Sequence, residues 1–261
     1  LKALLLAGLL CPSLAMPPCD DRGGSPELFS RLYESPEGVP WDIGRAQDDI
    51  CVAVWNGDVL GPRVLDVGCG TGDNAILLAM HGFRVTAFDS SEVAVRMARQ
   101  RAEAAGQLRG SLELLSADVF ALDGLPGFQQ RFDTVIDSAV FHCIGDDAAQ
   151  RRYAQALAML VRPGGRLIVH SCSDRNPDPW EGPPRRISEA HLRRFFGKAG
   201  GWRVEEVRHG TYANNMGFKE GGCPSILLVA SRLPADTKTS DALSRRPAAA
   251  AHRAISRKPS D

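Results

Sequence analysis

The sequence predicts an α/β fold in which a mostly parallel sheet lies between two layers of helices. Three observations carry that expectation. From Trp41 to Arg232, short runs rich in Val, Ile and Leu alternate with longer amphipathic runs, the pattern of repeated strand–helix units around a sheet buried on both faces. The first apolar run ends in three glycines at alternate positions, which lets a strand turn tightly into a helix. The chain of 261 residues, 44% hydrophobic and 24% charged, suffices for one substantial core.

Taken in order, strands are expected at Arg63–Val67, Arg84–Asp89, Leu112–Ser116, Thr134–Ser138 and Arg166–Ser171. A helix over Ser91–Ala105 has Ser90 or Ser91 to cap its amides, Glu92 at its positive end, apolar Val93, Met97 and Ala104 at near-helical spacing, and Gly106 to stop it. Further helices are expected over Asp147–Leu160 and, from a cap at Ser188, to Lys198, with Pro163-Gly164-Gly165 as the turn into the fifth strand. Strands at Arg203–His209 and Ser225–Ser231, with no helix between them, complete a seven-stranded sheet as an antiparallel edge hairpin with a long loop.

Outside this domain, residues 16–40 are rich in Pro, Gly and charge and are expected to form an irregular lead-in with one short helix over Glu27–Tyr33. Residues 233–261 carry too few large apolar side chains to fold against and are expected to be disordered. Residues 1–15 resemble a shortened secretory signal, with Lys2 before the apolar run Ala3–Leu10; the alternative, favoured here, is that Met16 is the initiator and these residues are an extension. That run is too short to span a bilayer.

Composition narrows the function classes. Thirty-one Lys plus Arg balance thirty-one Asp plus Glu, so there is no broad positive field to favour nucleic acid or an anionic membrane surface, and a small-molecule partner is expected. The seven cysteines are scattered, odd in number and without a zinc-like grouping; they read as reduced thiols of a cytoplasmic protein with no metal site.

The chemistry begins at Val64-Leu65-Asp66-Val67-Gly68-Cys69-Gly70-Thr71-Gly72. Dinucleotide folds use G-x-G-x-x-G, which brings a pyrophosphate to the helix N-terminus. Here the spacing is G-x-G-x-G, and Asp66 precedes it. A carboxylate suits a ligand carrying an ammonium and a sulfonium better than a pyrophosphate, which it would repel, so S-adenosylmethionine is preferred to NAD. Asp89 follows at the end of the second strand, where a carboxylate can accept from both ribose hydroxyls. Each feature also has a plainer reading: a Gly-rich turn and a helix cap.

At this point the chain resembles the class I S-adenosylmethionine-dependent methyltransferases, through Val64 to Gly72, Phe88-Asp89-Ser90-Ser91, Ala117-Asp118-Val119, Phe132 to Asp137 and Leu160 to Arg166, in the right order. The resemblance implies a Rossmann-like three-layer sandwich. It implies that Asp66, Gly68, Cys69, Gly70 and Gly72 hold the methionine portion of the cofactor and that Asp89, with Ser90, binds the ribose. Asp118 and Val119 would hold the adenine, and Asp137 would stand at the cofactor end of the fourth strand. Pro40-Trp41-Asp42-Ile43-Gly44-Arg45 resembles a segment of the thiopurine, thiol, halide and tellurite-resistance methyltransferases, in which Trp41 would exclude water and Arg45 meet a carboxylate or anionic substrate. Trp41 could equally anchor the lead-in on the core.

Methyl transfer is an in-line displacement, so the protein must align the nucleophile, exclude water and, for a protonated acceptor, remove a proton. The fourth strand delivers Phe141-His142-Cys143 to the carboxyl edge of the sheet, where the resemblance places the transferable methyl. His142 is the expected base or substrate contact and Phe141 a wall; the plainer reading of His142 is a structural hydrogen-bonding residue. Ser173 to Arg186, with Trp180, Arg185 and Arg186, is a candidate substrate-facing loop. The rival functions are a nicotinamide-dependent oxidoreductase, a non-catalytic S-adenosylmethionine binder, and a methyltransferase of RNA or protein.

Overall fold

The computed structural model describes residues 26–36, 38–124, 128–177, 184–215 and 222–234. The leader-like stretch, Met16, Trp180 and nearly all of the tail lie outside them.

Seven strands among these residues form one sheet: β1 (Arg63–Val67), β2 (Arg84–Asp89), β3 (Ser111–Ser116), β4 (Phe132–Ser138), β5 (Val161–Cys172), β6 (Trp202–Tyr212) and β7 (Cys223–Arg232). Their order is β3-β2-β1-β4-β5-β7-β6. β1 to β5 pair parallel, and β7 runs antiparallel between β5 and β6, so the expected hairpin lies at the edge with β6 outermost. The strand order reverses between β1 and β4, which opens a crevice at their carboxyl ends.

Among the described residues six α-helices surround the sheet: α1 (Pro26–Tyr33), α2 (Asp48–Trp55), α3 (Asp73–Met80), α4 (Glu92–Ala104), α5 (Asp147–Leu160) and α6 (Glu189–Phe196). Their starts follow from capping chemistry. Ser91, Asp146 and Ser188 each accept a hydrogen bond from the amide three residues on, at 3.3, 2.7 and 3.0 Å, satisfying donors that the helix itself cannot. On one sheet face Leu65, Val67, Val135, Leu167 and Val169 pack with Tyr153, Leu157, Leu192 and Phe196 of α5 and α6. On the other, Val64, Ile136, Ile168 and Val229 pack with Ile50, Ala53, Ala75 and Leu78 of α2 and α3. Among the described residues no helix is long and apolar enough to cross a membrane, no group of side chains could hold a metal ion, and no cysteine is in a disulfide.

Pro163-Gly164-Gly165 is part of β5 and not a turn before it. Phe132 pairs with Val161 and Thr134 with Arg166, so Asp133 alone faces the four residues Arg162 to Gly165, which bulge out with Gly164 at φ +73°. The Asp133 carboxylate anchors the bulge, accepting from Arg162 Nε at 2.5 Å and from the Arg63 amide at 2.9 Å. Burial pushes this carboxyl up, but the two arginines outweigh burial and hold it below the usual range.

A carboxyl held low when folded contributes stability above its unfolded pKa and loses it as pH falls through the folded value. Asp133→Ala is therefore expected to lower unfolding free energy by about 1–3 kcal/mol at neutral pH, with the deficit shrinking on acidification. Urea unfolding at several pH values checks both.

Candidate active site

Three carboxylates converge beneath the crevice. Asp66 lies next to the end of β1, Asp89 ends β2 and Asp137 lies next to the end of β4, and all three are buried. They are satisfied very differently. Asp137 accepts from the amides of Val140 (2.9 Å) and Phe141 (3.0 Å) and from the Tyr153 hydroxyl (2.8 Å). Burial raises its pKa to about 6 against those bonds. It shapes the loop after β4 and offers no free oxygen. Asp89 accepts from the Gly70 amide at 2.9 Å and the Ser91 amide at 2.8 Å, and so ties the glycine loop to the start of α4. A carboxylate accepts about four hydrogen bonds, which leaves capacity for a ribose hydroxyl beside Ser90.

Asp66 is the exception. Its Oδ2 is buried without a partner among the described residues. Burial, then Asp137 and Asp89, push its pKa up to about 8. Burying a carboxyl next to two others and leaving an oxygen bare is costly unless a cation completes the site.

The loop above it is shaped to admit a ligand. Gly68, Gly70 and Gly72 all have positive φ, at +62°, +54° and +86°. A Cβ on Gly68 would collide with Val140, and one on Gly70 would lie 2.8 Å from the Tyr33 hydroxyl. Cys69 is half-buried, and its amide donates to Phe88 O at 2.9 Å. At the far end of the crevice Val119 is buried, while Asp118 is exposed and accepts from the Phe120 amide at 2.9 Å. A bare acid, a glycine cradle, a carboxylate at the end of β2 and an Asp–Val pair beyond β3 fit the ammonium, methionine, ribose and adenine parts of S-adenosylmethionine in turn.

Two features escaped sequence reasoning. Tyr33 of α1 lies over the glycine loop; its hydroxyl accepts from Trp41 Nε1 at 2.8 Å, so its own proton is free to donate to a ligand. Trp41 is wedged edge-on against Phe29 and Tyr33, so it anchors the lead-in. Arg101 of α4 is the second feature. It donates to Asp42 Oδ2 (2.7 Å), Thr71 Oγ1 (3.0 Å) and Asp73 Oδ2 (2.5 Å), clamping the lead-in to the glycine loop. The other side is pinned by Asn215, whose amide donates to Pro40 O at 2.7 Å, and by Gln47, which exchanges two 2.9 Å bonds with the Ala213 backbone. No local pattern in α4 signals these contacts.

Arg45, the arginine expected to face the site, is exposed and bonded to Asp48 in the first turn of α2. Phe141 is not a cavity wall: it is fully buried among Tyr153, Phe195 and Phe196. His142 is not placed as a free base. Its Nδ1 accepts from the Cys172 amide at 2.9 Å, and burial, with His170 nearby, drives its pKa down to about 3, so the ring is a neutral clasp between the loop and β5. Arg185 is spent on Gly145 O and Asp147. Cys172 lies 3.4 Å from Cys223, sulfur to sulfur.

Comparison with known proteins agrees with this geometry. Residues 64–165 match the family model of a methyltransferase domain. A 2-heptyl-1-hydroxyquinolin-4(1H)-one methyltransferase of Mycobacteroides abscessus is 31% identical over 203 residues, covering 75% of this chain and 86% of the relative. This chain belongs to the class I S-adenosylmethionine-dependent methyltransferases. A probable thiol methyltransferase of Arabidopsis thaliana is 28% identical over 63% of this methyltransferase and 74% of the plant protein. A solved structure from work on the conversion of a disulfide bond into a thioacetal group during echinomycin biosynthesis is 32% identical, with a TM-score of 0.68 over 84% of this chain and 97% of the other.

Two outcomes are expected at this site. A carboxyl whose folded pKa is raised costs stability as pH rises through that value, so Asp66→Asn should raise the melting temperature of the cofactor-free methyltransferase above pH 8. The same variant should weaken S-adenosylmethionine binding by about 1–3 kcal/mol in calorimetry. Arg101→Met should weaken it by a similar amount, about 1–3 kcal/mol, and should speed proteolytic cleavage before α2.

Proposed function

We propose that this methyltransferase acts on a small, flat, largely apolar acceptor through a hydroxyl oxygen or a thiol. One observation carries the reading: Trp41, Ala139, Cys172, Tyr212 and Cys223 pack together at the carboxyl edge of β4 and β5, beside the cofactor crevice. Indole and phenol faces with polarizable sulfur suit an aromatic ring or a soft nucleophile and give a charged macromolecule nothing to pair with. The balanced charge of the chain points the same way. So do the hydroxyquinolone and thiol acceptors named for the two relatives.

The cofactor supplies an electrophilic methyl group on a sulfonium. The chain does the rest. Asp66 meets the ammonium, and the Tyr33 hydroxyl donates to the methionine end over Gly68, Cys69, Gly70 and Gly72. Asp89 and Ser90 hold the ribose, while Asp118 and Val119 hold the adenine. Trp41 keeps water from the methyl and forms one wall of the acceptor cavity, and Asp137 sets the loop that carries Ala139. Reaction inside such a water-poor pocket depends mainly on alignment. The need for this cofactor and the free thiols support a cytoplasmic site of action.

The test is incubation of the full chain with radiolabelled S-adenosylmethionine and a panel of hydroxyquinolines, phenols, thiols and halides, followed by mass spectrometry of the products. Methylation of at least one aromatic hydroxyl or thiol compound is expected. Tight cofactor binding with label appearing only in RNA or protein would sink the proposal.

A further inference from the structure

Two cysteines outside the cofactor loop meet at one end of the sheet. Cys172 is the last residue of β5 and Cys223 the first of β7. Both are buried, both are thiols, and their sulfurs lie 3.4 Å apart. A disulfide bond is roughly 2.05 Å long, so closing the gap asks for about 1.4 Å of sulfur movement. The backbone around the pair is fixed. The Cys172 amide donates to His142 Nδ1 at 2.9 Å, its carbonyl accepts from the Ile187 amide at 2.9 Å, and the Ser173 amide donates to Pro224 O at 2.8 Å. The two side chains are thus held within reach of each other on neighbouring antiparallel strands.

A buried cysteine usually serves as a small hydrophobe. This pair differs in touching sulfur to sulfur and in where it lies. It packs with Tyr212, Trp41 and Ala139. Tyr212 of β6 is the register partner of Cys223, and His142, bonded to Cys172, belongs to the turn after β4. A bond between the sulfurs would draw together the ends of β5 and β7, against which the lead-in, that turn and the end of β6 all rest. Asp66, Asp89 and the glycine loop belong to β1 and β2, on the far side of β4.

We propose that Cys172 and Cys223 form a redox site: a peroxide oxidises them to a disulfide that slows methyl transfer, and a thiol reductant restores the pair. The redox step stands by itself, while the slowing rests on the small-acceptor reading above. The contact with Cys223, with burial, holds the Cys172 thiol well above its ordinary value, so Cys172 keeps its proton and Cys223 attacks first. The Cys223 sulfur takes one peroxide oxygen as the O–O bond breaks, and the Cys223 proton leaves with the other oxygen as water. The Cys172 sulfur then attacks the sulfenic acid: the S–S bond forms, the S–O bond breaks, and the Cys172 proton leaves with the hydroxyl as a second water. The sulfurs lose two electrons and the peroxide gains them; two equivalents of a small thiol such as glutathione give them back. Burial makes the attack slow, so the pair answers sustained and not brief oxidation. Transient disulfides of this kind are the ones a reducing compartment permits.

The experiment incubates the reduced full chain with hydrogen peroxide, then alkylates, digests and maps it by mass spectrometry, with acceptor turnover and S-adenosylmethionine affinity measured on the same samples. One peptide pair joined through Cys172 and Cys223 is expected, with cofactor affinity unchanged and turnover restored by dithiothreitol. Before that reduction kcat/KM for the acceptor should fall about tenfold or more, since displacements near 1 Å cost that much at a reacting centre. Cys172→Ser and Cys223→Ala, each compared with itself before and after peroxide, should lose the response, and Cys51→Ser on α2 should keep it. A folded wild type that yields no such peptide pair overturns the proposal. So does a disulfide through Cys143, the other thiol acting on Cys172, in its place. A Cys172–Cys223 disulfide that leaves turnover whole, or a peroxide loss that persists in both variants, overturns it as well. Should the reduced protein methylate nothing in the panel, the small-acceptor reading fails and the peptide map alone decides whether the redox site exists.

Discussion

The crevice is organised around three carboxylates buried side by side, none of them paired with a cation among the described residues. Water normally supports such charge, and a protein interior does not, so each carboxylate must be paired, bonded or neutral. Asp137 is met by two amides and the Tyr153 hydroxyl, which fixes the backbone after β4. Asp89 is met by amides of the glycine loop and of the start of α4, which fixes those two loops against each other. Asp66 keeps a bare oxygen. The fold thus leaves one acid unsatisfied where a cationic ligand end would lie, and binding and conformation become one problem.

The same logic explains the lead-in. Residues 39–47 have no strand ladder or helix to satisfy them, yet they roof the crevice. They stay in place because Asp42 is held by Arg101, Pro40 by the Asn215 amide, and Gln47 by the Ala213 backbone. These bonds reach α4 on one side and the end of β6 on the other, so the roof is fastened to both halves of the sheet. Trp41, whose indole donates to the Tyr33 hydroxyl, then packs against the cluster of Cys172, Tyr212 and Cys223.

The two histidines at the carboxyl edge illustrate how burial alone does not define a role. His142 and His170 are both buried in aromatic surroundings near Tyr212. Partners separate them. A backbone amide occupies the Nδ1 lone pair of His142, whereas the His170 ring, 3.0 Å from Asp49 Oδ2 at Nε2, makes no hydrogen bond at either nitrogen among the described residues. The first clasps a loop to a strand; the second faces an acid that reaches it from α2.

Local sequence determined the helical starts, because Ser91, Asp146 and Ser188 bond within one turn of themselves. It also determined the parallel core strands, whose burial on both faces is written as short runs rich in Val, Ile and Leu, and the glycine loop, whose positive φ values exclude side chains. It misread the Pro163-Gly164-Gly165 turn, because only pairing with Asp133 turns those residues into a bulge. The partners of Arg101 and His142, and the Asp49–His170 contact, were decided by tertiary structure alone. Arg101 and Asp42 are 59 residues apart, and Asp49 meets His170 only where α2 crosses the end of β5. Periodicity and capping act over a few residues, so the sequence could name the elements and the cofactor loop. Which charged side chain meets which is set by how distant elements pack.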